Sequence, residues 1–228
     1  HSHRDVNAVH LYAYGENVLR NSGYCGSGEG IDANFDWTWV NDSAASSNTV
    51  TIDDREHDEK FGAGILEGLT APRFDYAAGA SGRALDNGSH VRSLLMLHGE
   101  PGLPGYFVLV DEVDADVARA VVNLNLHPDS ERYVTRTPDK EYEWSIRHFG
   151  DEDVGLTLFL GTKPTSVEVR DGGLCAFDDK EYVGKYLRST YLTDDSGLKN
   201  VVTLAVPHAA SLLRPKLTRI ALGDRSSG

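Results

Sequence analysis

Basic residues are in short supply. Lys and Arg number 22 against 35 Asp and Glu, a formal net charge of −13 over 228 residues. That balance argues against non-specific nucleic-acid binding, which rests on a Lys/Arg excess. An acidic polymer could be a partner only where the few cations converge. Long apolar runs are missing too: none approaches the ~20 residues that span a bilayer as a helix, so no membrane partner is expected. Cysteine is scarce. Cys25 and Cys175 lie far apart and could pair or stay free. There is no Cys-x-x-Cys, no His-Glu-x-x-His, and no Cys/His cluster of zinc-site spacing. No Gly-x-Ser-x-Gly elbow occurs. The glycine-rich run at 23–30 lacks the Lys-Ser/Thr and following helix of a phosphate cradle. A secretion leader is also missing, but the first residue is His1 and it opens inside a strand-like pattern. The chain is therefore expected to be part of something longer.

What is present reads as strand. Hydrophobic content is 40% and charged content 25%, those of a globular chain with material for one good core or two small ones. Alternating or β-branched segments predict strands at 6–13, 18–20, 49–53, 61–69, 73–78, 91–97, 106–113, 117–126, 132–136, 142–146, 154–160, 165–169, 182–193, 201–206 and 217–222. Turn signals such as Asp171-Gly172-Gly173 and Asp194-Asp195-Ser196-Gly197 separate them. The stretch from Gly23 to Ser47 reads as one long loop, and only residues 115–120 hint at a helical turn or two. Many short strands with regular turns imply an all-β antiparallel sandwich with almost no helix. A single domain is expected over 1–228, with a smaller β subdomain conceivable from about residue 130 onward.

The chemistry concentrates at the start. In an extended strand His1, His3, Asp5 and Asn7 share one face, because side chains alternate with period two. That face is too polar for a core wall. It is either a solvated strand end or part of a site, histidine being a common proton carrier and metal ligand. Asp32-x-Asn34-x-Asp36 begins like a calcium loop, but Trp37 stands where the loop needs glycine and Ser43 where it needs an acid. Tyr24, Trp37 and Trp39 suit stacking on a sugar ring, and equally suit core packing. Arg92 and His98 are either site residues or the polar ends of a strand. Cys25 reads as a small buried hydrophobe rather than a nucleophile.

Several segments carry a family resemblance. His1-Ser2-His3-Arg4-Asp5-Val6-Asn7-Ala8, Leu11-Tyr12-Ala13-Tyr14-Gly15 and Asn48-Thr49-Val50-Thr51-Ile52-Asp53 resemble the C-terminal β domain of heparinase II/III-like polysaccharide lyases. Val91-Arg92-Ser93-Leu94-Leu95-Met96-Leu97-His98 and Tyr106-Phe107-Val108-Leu109-Val110-Asp111-Glu112-Val113 are similar to further family segments. The likeness covers roughly the first 130 residues, and beyond them only the strand pattern.

The resemblance implies an N-terminal α/α toroid ahead of a β-sandwich, with the active site in the cleft between them. It implies β-elimination on an acidic polysaccharide, heparan-like or alginate-like, and a periplasmic or secreted bacterial setting. His1 matches the family's catalytic histidine from this domain, and Tyr24 is expected to face the cleft as a second catalytic residue. Arg4, Trp37, Trp39 and Arg92 are assigned to the substrate, with Asp5 and Asn7 supporting. The family often holds zinc, with ligands matching His3 and the positions of Asn21 and Ser47. An amide and a hydroxyl are poor zinc ligands, so a hydrogen-bonded substitute around His3 is expected. The chain alone is expected to be inactive, the toroid holding the other half of the site. The alternative is a non-catalytic carbohydrate-binding or structural β-sandwich of a diverged relative.

Overall fold

The computed structural model describes residues 3–22, 37–130, 132–136, 141–146, 153–175, 181–209, 211–212 and 217, with backbone alone at 37, 132–136, 174–175 and 181–183. Fourteen strands are present among them. In chain order they are β1 (Leu11–Ala13), β2 (Glu16–Leu19), β3 (Val50–Ile52), β4 (Gly64–Ala71), β5 (Phe74–Ala80), β6 (Gly88–Leu97) and β7 (Tyr106–Ala115). They continue with β8 (Val121–Leu126), β9 (Arg132–Arg136), β10 (Glu141–Ser145), β11 (Val154–Leu160), β12 (Ser166–Cys175), β13 (Glu181–Leu192) and β14 (Leu198–Ala209). An eight-stranded sheet runs β4-β5-β6-β7-β14-β11-β10-β9, a four-stranded one β12-β13-β8-β3, and β1-β2 forms a hairpin. Every pairing is antiparallel. The all-β sandwich read from the sequence is the observed class. Strands after residue 130 enter both large sheets beside strands from before it.

Alternation builds the core. On β7 the residues Phe107, Leu109, Val113 and Ala115 are buried while Glu112 and Asp114 are exposed. They meet Val122, Leu124 and Leu126 of β8, Tyr191 of β13 and Leu156 and Leu158 of β11 in one cluster. Each fully buried leucine there contributes roughly 1.5–3 kcal/mol.

Three local expectations change. Residues 6–13 are not one strand: Ala8 donates to the Asp5 carbonyl at 2.9 Å, and Asn7 takes a left-handed φ of 56°. The shared face of His3, Asp5 and Asn7 is therefore broken by a turn, since period-two alternation holds only in extended chain. The long loop contains a helix, α1 (Trp37–Asp42), and a 3-10 turn at Ala44–Ser46. Neither carries an acidic residue in its first turn or a basic one in its last, though the Glu56 carboxylate accepts the Ala44 N–H where the 3-10 turn begins. Packing makes the helix: Val40 is buried, and the Trp39 indole N–H reaches Ser22 Oγ at 2.9 Å and the Gly173 carbonyl at 3.2 Å. Residues 117–120 are turn rather than strand or helix, with Arg119 at a φ of 58°. The calcium-like stretch, and the strand expected at 217–222 apart from residue 217, lie outside the described residues.

Candidate functional site

The opening segment is laid over the ends of β3, β5 and β6 and held by polar groups beneath it. Asn7 is the centre of the turn. Its amide donates to the His90 carbonyl at 3.0 Å and approaches His90 Nδ1 at 3.4 Å. Room for it exists because Gly79 lies alongside: a Cβ there would come within 3.2 Å of Asn7 Oδ1. His57 supports the segment from below. Its Nδ1 accepts from the Val6 N–H at 3.2 Å, so Nε2 carries the proton donated to the Val50 carbonyl at 2.8 Å. Burial lowers the His57 pKa against the opposing pull of that carbonyl, and the ring stays neutral.

Beneath Asn7 the sandwich interior is charged. Arg92 and Asp111 are register partners on β6 and β7, both on the inward row. Arg92 Nε donates to Asp111 Oδ1 at 2.6 Å, and His90 Nε2 donates to the same oxygen at 2.7 Å. The exposures are 3% for Arg92 and 0% for Asp111 and His90. Burial alone would raise the Asp111 carboxyl; the Arg92 guanidinium and the His90 N–H outweigh it and hold it at about 2. His90 is lowered by burial despite that carboxylate. Arg92 also donates from Nη1 to the carbonyls of Asn7 at 2.9 Å and of Asn48.

The sequence-derived residues fall as follows. His1 and Tyr24 lie outside the described residues, as does the Trp37 side chain. His3 is exposed, with Nδ1 3.4 Å from the Val40 carbonyl. Arg4 is part-exposed, donates to the His57 carbonyl and sits 3.7 Å from Glu59. The Asp5 carboxylate acts electrostatically on His57 and His10. Trp39 is half-buried against His127 and Tyr186, at ring separations of 6.3 and 5.8 Å. Arg92 is interior, its guanidinium turned to protein acceptors. Asn21 and Ser47 border the same turn: Asn21 bonds Asn48, and Ser47 is 4% exposed. The fold thus brings Arg4 and Asn21 to residues 48–57 beside Ser47, seats Asn7 on His90, and leaves His3 at Val40, while Trp39 stands on the β12–β13 side.

Sequence reasoning passed over His57, His90, Asp111 and Asn48. Asp111 had a signal, since it shares the phase of Phe107, Leu109 and Val113, where a carboxylate demands a partner. His127 is 2% exposed. It stacks on Tyr186 at 4.6 Å and bonds the Ala45 carbonyl at 2.7 Å. Among the described residues no group of three His, Cys, Asp or Glu is placed to hold a metal ion.

The family model described as heparinase II/III-like, C-terminal, matches residues 1–170. No curated protein matches the sequence. Among solved structures, a heparan sulfate lyase HepC from Pedobacter heparinus superposes with a TM-score of 0.72 at 14% identity, over 93% of this chain and 32% of that one. A heparinase III superposes with a TM-score of 0.67 at 16% identity, over 92% and 30%. A second heparinase III gives 0.67 at 19% identity, over 92% and 31%. At such identities the likeness is one of fold. The chain spans about a third of the length of these structures.

Proposed function

This chain belongs to the heparinase II/III-like C-terminal family, and from that premise we propose that it is the β domain of a polysaccharide lyase cleaving a uronic-acid-containing glycan, heparan-like or alginate-like. The observation that carries the reading is the family match running from residue 1 through the polar opening segment. In β-elimination the uronate carboxylate is neutralised, the C5 proton is removed, and the C4–O bond breaks as that oxygen takes up a proton. The new C4–C5 double bond keeps the electrons balanced. The chemistry needs a base, an acid and a group that stabilises the enolate-like intermediate.

His1 is assigned to the carboxylate or the proton transfer, and Tyr24 to the same cleft. Arg4, part-exposed and three positions after His1, supplies a cation for the acidic sugar, and Trp37 and Trp39 supply ring faces. Asp5 and Asn7 position the segment, Asn7 through its bonds to His90. Arg92 contributes through the Asn7 carbonyl that it holds. An α/α toroid supplies the rest of the site, and the setting is periplasmic or extracellular. A non-catalytic carbohydrate-binding domain is the second reading, favoured by the neutral residues Asn21 and Ser47 where the family often has metal ligands.

The test uses the polypeptide encoded by the full reading frame that carries this sequence. It is incubated with a panel of uronate polysaccharides and followed by the absorbance of unsaturated uronate. Product that disappears in His1→Ala is expected. Binding without product from any substrate favours the second reading. Product from residues 1–228 alone overturns the division of the site.

A further inference from the structure

Asn48 is fully buried and makes five hydrogen bonds among the described residues. Its backbone N–H donates to Asn21 Oδ1 at 2.9 Å, and its side-chain amide donates to the same oxygen at 3.3 Å. That amide also donates to the Val9 carbonyl at 2.9 Å. Its Oδ1 accepts the His127 N–H at 2.6 Å, and its carbonyl accepts from Arg92. Nearby, the Ser22 N–H donates to the Ser46 carbonyl at 2.9 Å. Five separate stretches are thereby tied at one residue: the opening segment, the strand exit at 20–22, the turn at 46–48, Arg92 of β6, and His127 after β8.

The family resemblance puts a zinc ligand set at His3 and the positions of Asn21 and Ser47. The residues present do not fit that ion. Zinc takes thiolate, imidazole or carboxylate lone pairs. The Asn21 oxygen is already turned to two N–H donors, and the other end of an amide carries hydrogens rather than a lone pair. Ser47 is interior, with its N–H on the Ala44 carbonyl at 3.1 Å. His3 Nδ1 faces the Val40 carbonyl.

We propose that the Asn21–Asn48 amide knot replaces the metal as the cross-link of this domain, so that its order is independent of zinc. A buried N–H stripped of its acceptor is destabilising, and the knot satisfies two on one oxygen. The inference rests on family membership and on this geometry, not on catalysis, so it stands or falls apart from the lyase reading.

The test is thermal unfolding and metal analysis of the purified protein. Addition of EDTA, or of one equivalent of zinc, is expected to leave Tm unchanged. Asn21→Ala strands both Asn48 donors and is expected to lower Tm by about 4–8 °C. Asn21→Asp keeps an acceptor for both and is expected to restore most of that loss. Stoichiometric zinc that EDTA removes with a fall in Tm, and that His3→Ala abolishes, overturns the proposal. So does an Asn21→Ala protein that melts with the wild type.

Discussion

Arg92 and Asp111 face each other across β6 and β7 and meet at 2.6 Å inside the sandwich, with His90 on the same carboxylate oxygen. Their sheet positions are ones that alternation reserves for apolar side chains. The charges persist there because each has a partner, and because Arg92 also binds the backbone of Asn7 and Asn48. Removing one member leaves the other charged and dry, which is costlier than the pair is worth. Arg92→Met is expected to destabilise the domain by about 3–5 kcal/mol. Arg92→Met combined with Asp111→Leu is expected to recover much of it. Denaturant midpoints decide, and a single-variant loss below about 1 kcal/mol would place the pair with weak surface bridges.

The same carboxylate sets an acid limit. Asp111 is held at about 2 when folded, below its ordinary 3.8. The folded state then binds fewer protons than the unfolded one, so the contribution is complete above about pH 4 and is lost as pH falls toward 2. Its size is about 2 kcal/mol. Asp111→Asn, measured for stability against pH, is expected to flatten the curve in that window.

Mild acid acts through histidine. Burial pushes His127 down to about 4, outweighing its bond to the Ala45 carbonyl. His57 and His90 are lowered for the same reason, with bonds to Val50 and Asp111 opposing. Each takes up a proton on unfolding, so stability is full above about pH 6.5 and falls on the way to 4, by about 3 kcal/mol for His127. His127→Gln is expected to lower Tm at neutral pH, since it loses the stack on Tyr186, yet to show a shallower decline between pH 6.5 and 4. An unchanged slope would remove His127 from the account.

Gly172 lets β12 pass close to an aromatic pair. A Cβ there would stand 3.0 Å from the Tyr186 ring and 3.2 Å from Trp39. Gly172→Ala is expected to cost about 1–3 kcal/mol by overpacking. It is also expected to shift tryptophan emission to the red, as the Trp39 bonds to Ser22 and Gly173 loosen. Emission that stays in place would show that Trp39 accommodates the methyl.

Arg4 separates binding from stability. Its side chain is 24% exposed, and its ion pair with Glu59 spans 3.7 Å. A bridge of that kind is worth about 0–1 kcal/mol. On the lyase reading Arg4→Ala is expected to raise KM roughly tenfold, a loss of about 1.4 kcal/mol of substrate binding, with Tm within about 4 °C of wild type. A KM that does not move takes Arg4 out of the substrate site.

The sequence alone determined the class and much of the strand plan. Residues 132–136 and 154–160 are strands with the bounds that alternation assigns, and Asp194-Asp195-Ser196-Gly197 is the turn that its residues demand. There Asp194 Oδ1 gathers the N–H groups of Ser196 and Leu198, and Gly197 takes a φ of +88°. These features are local: period two, β-branching and turn chemistry act over a few neighbours. Only the tertiary structure decided the rest. Asn7 turned out of the strand because its amide found His90, 83 positions away. Residues 37–42 coiled because Trp39 found Gly173, 134 positions away. Arg92 went inward because Asp111 and the carbonyl of Asn7, 85 positions back, were there to receive it. A hydrogen-bonding group shows its capacity in the sequence, but its partner is chosen by the sheets that bring distant strands to adjoining positions.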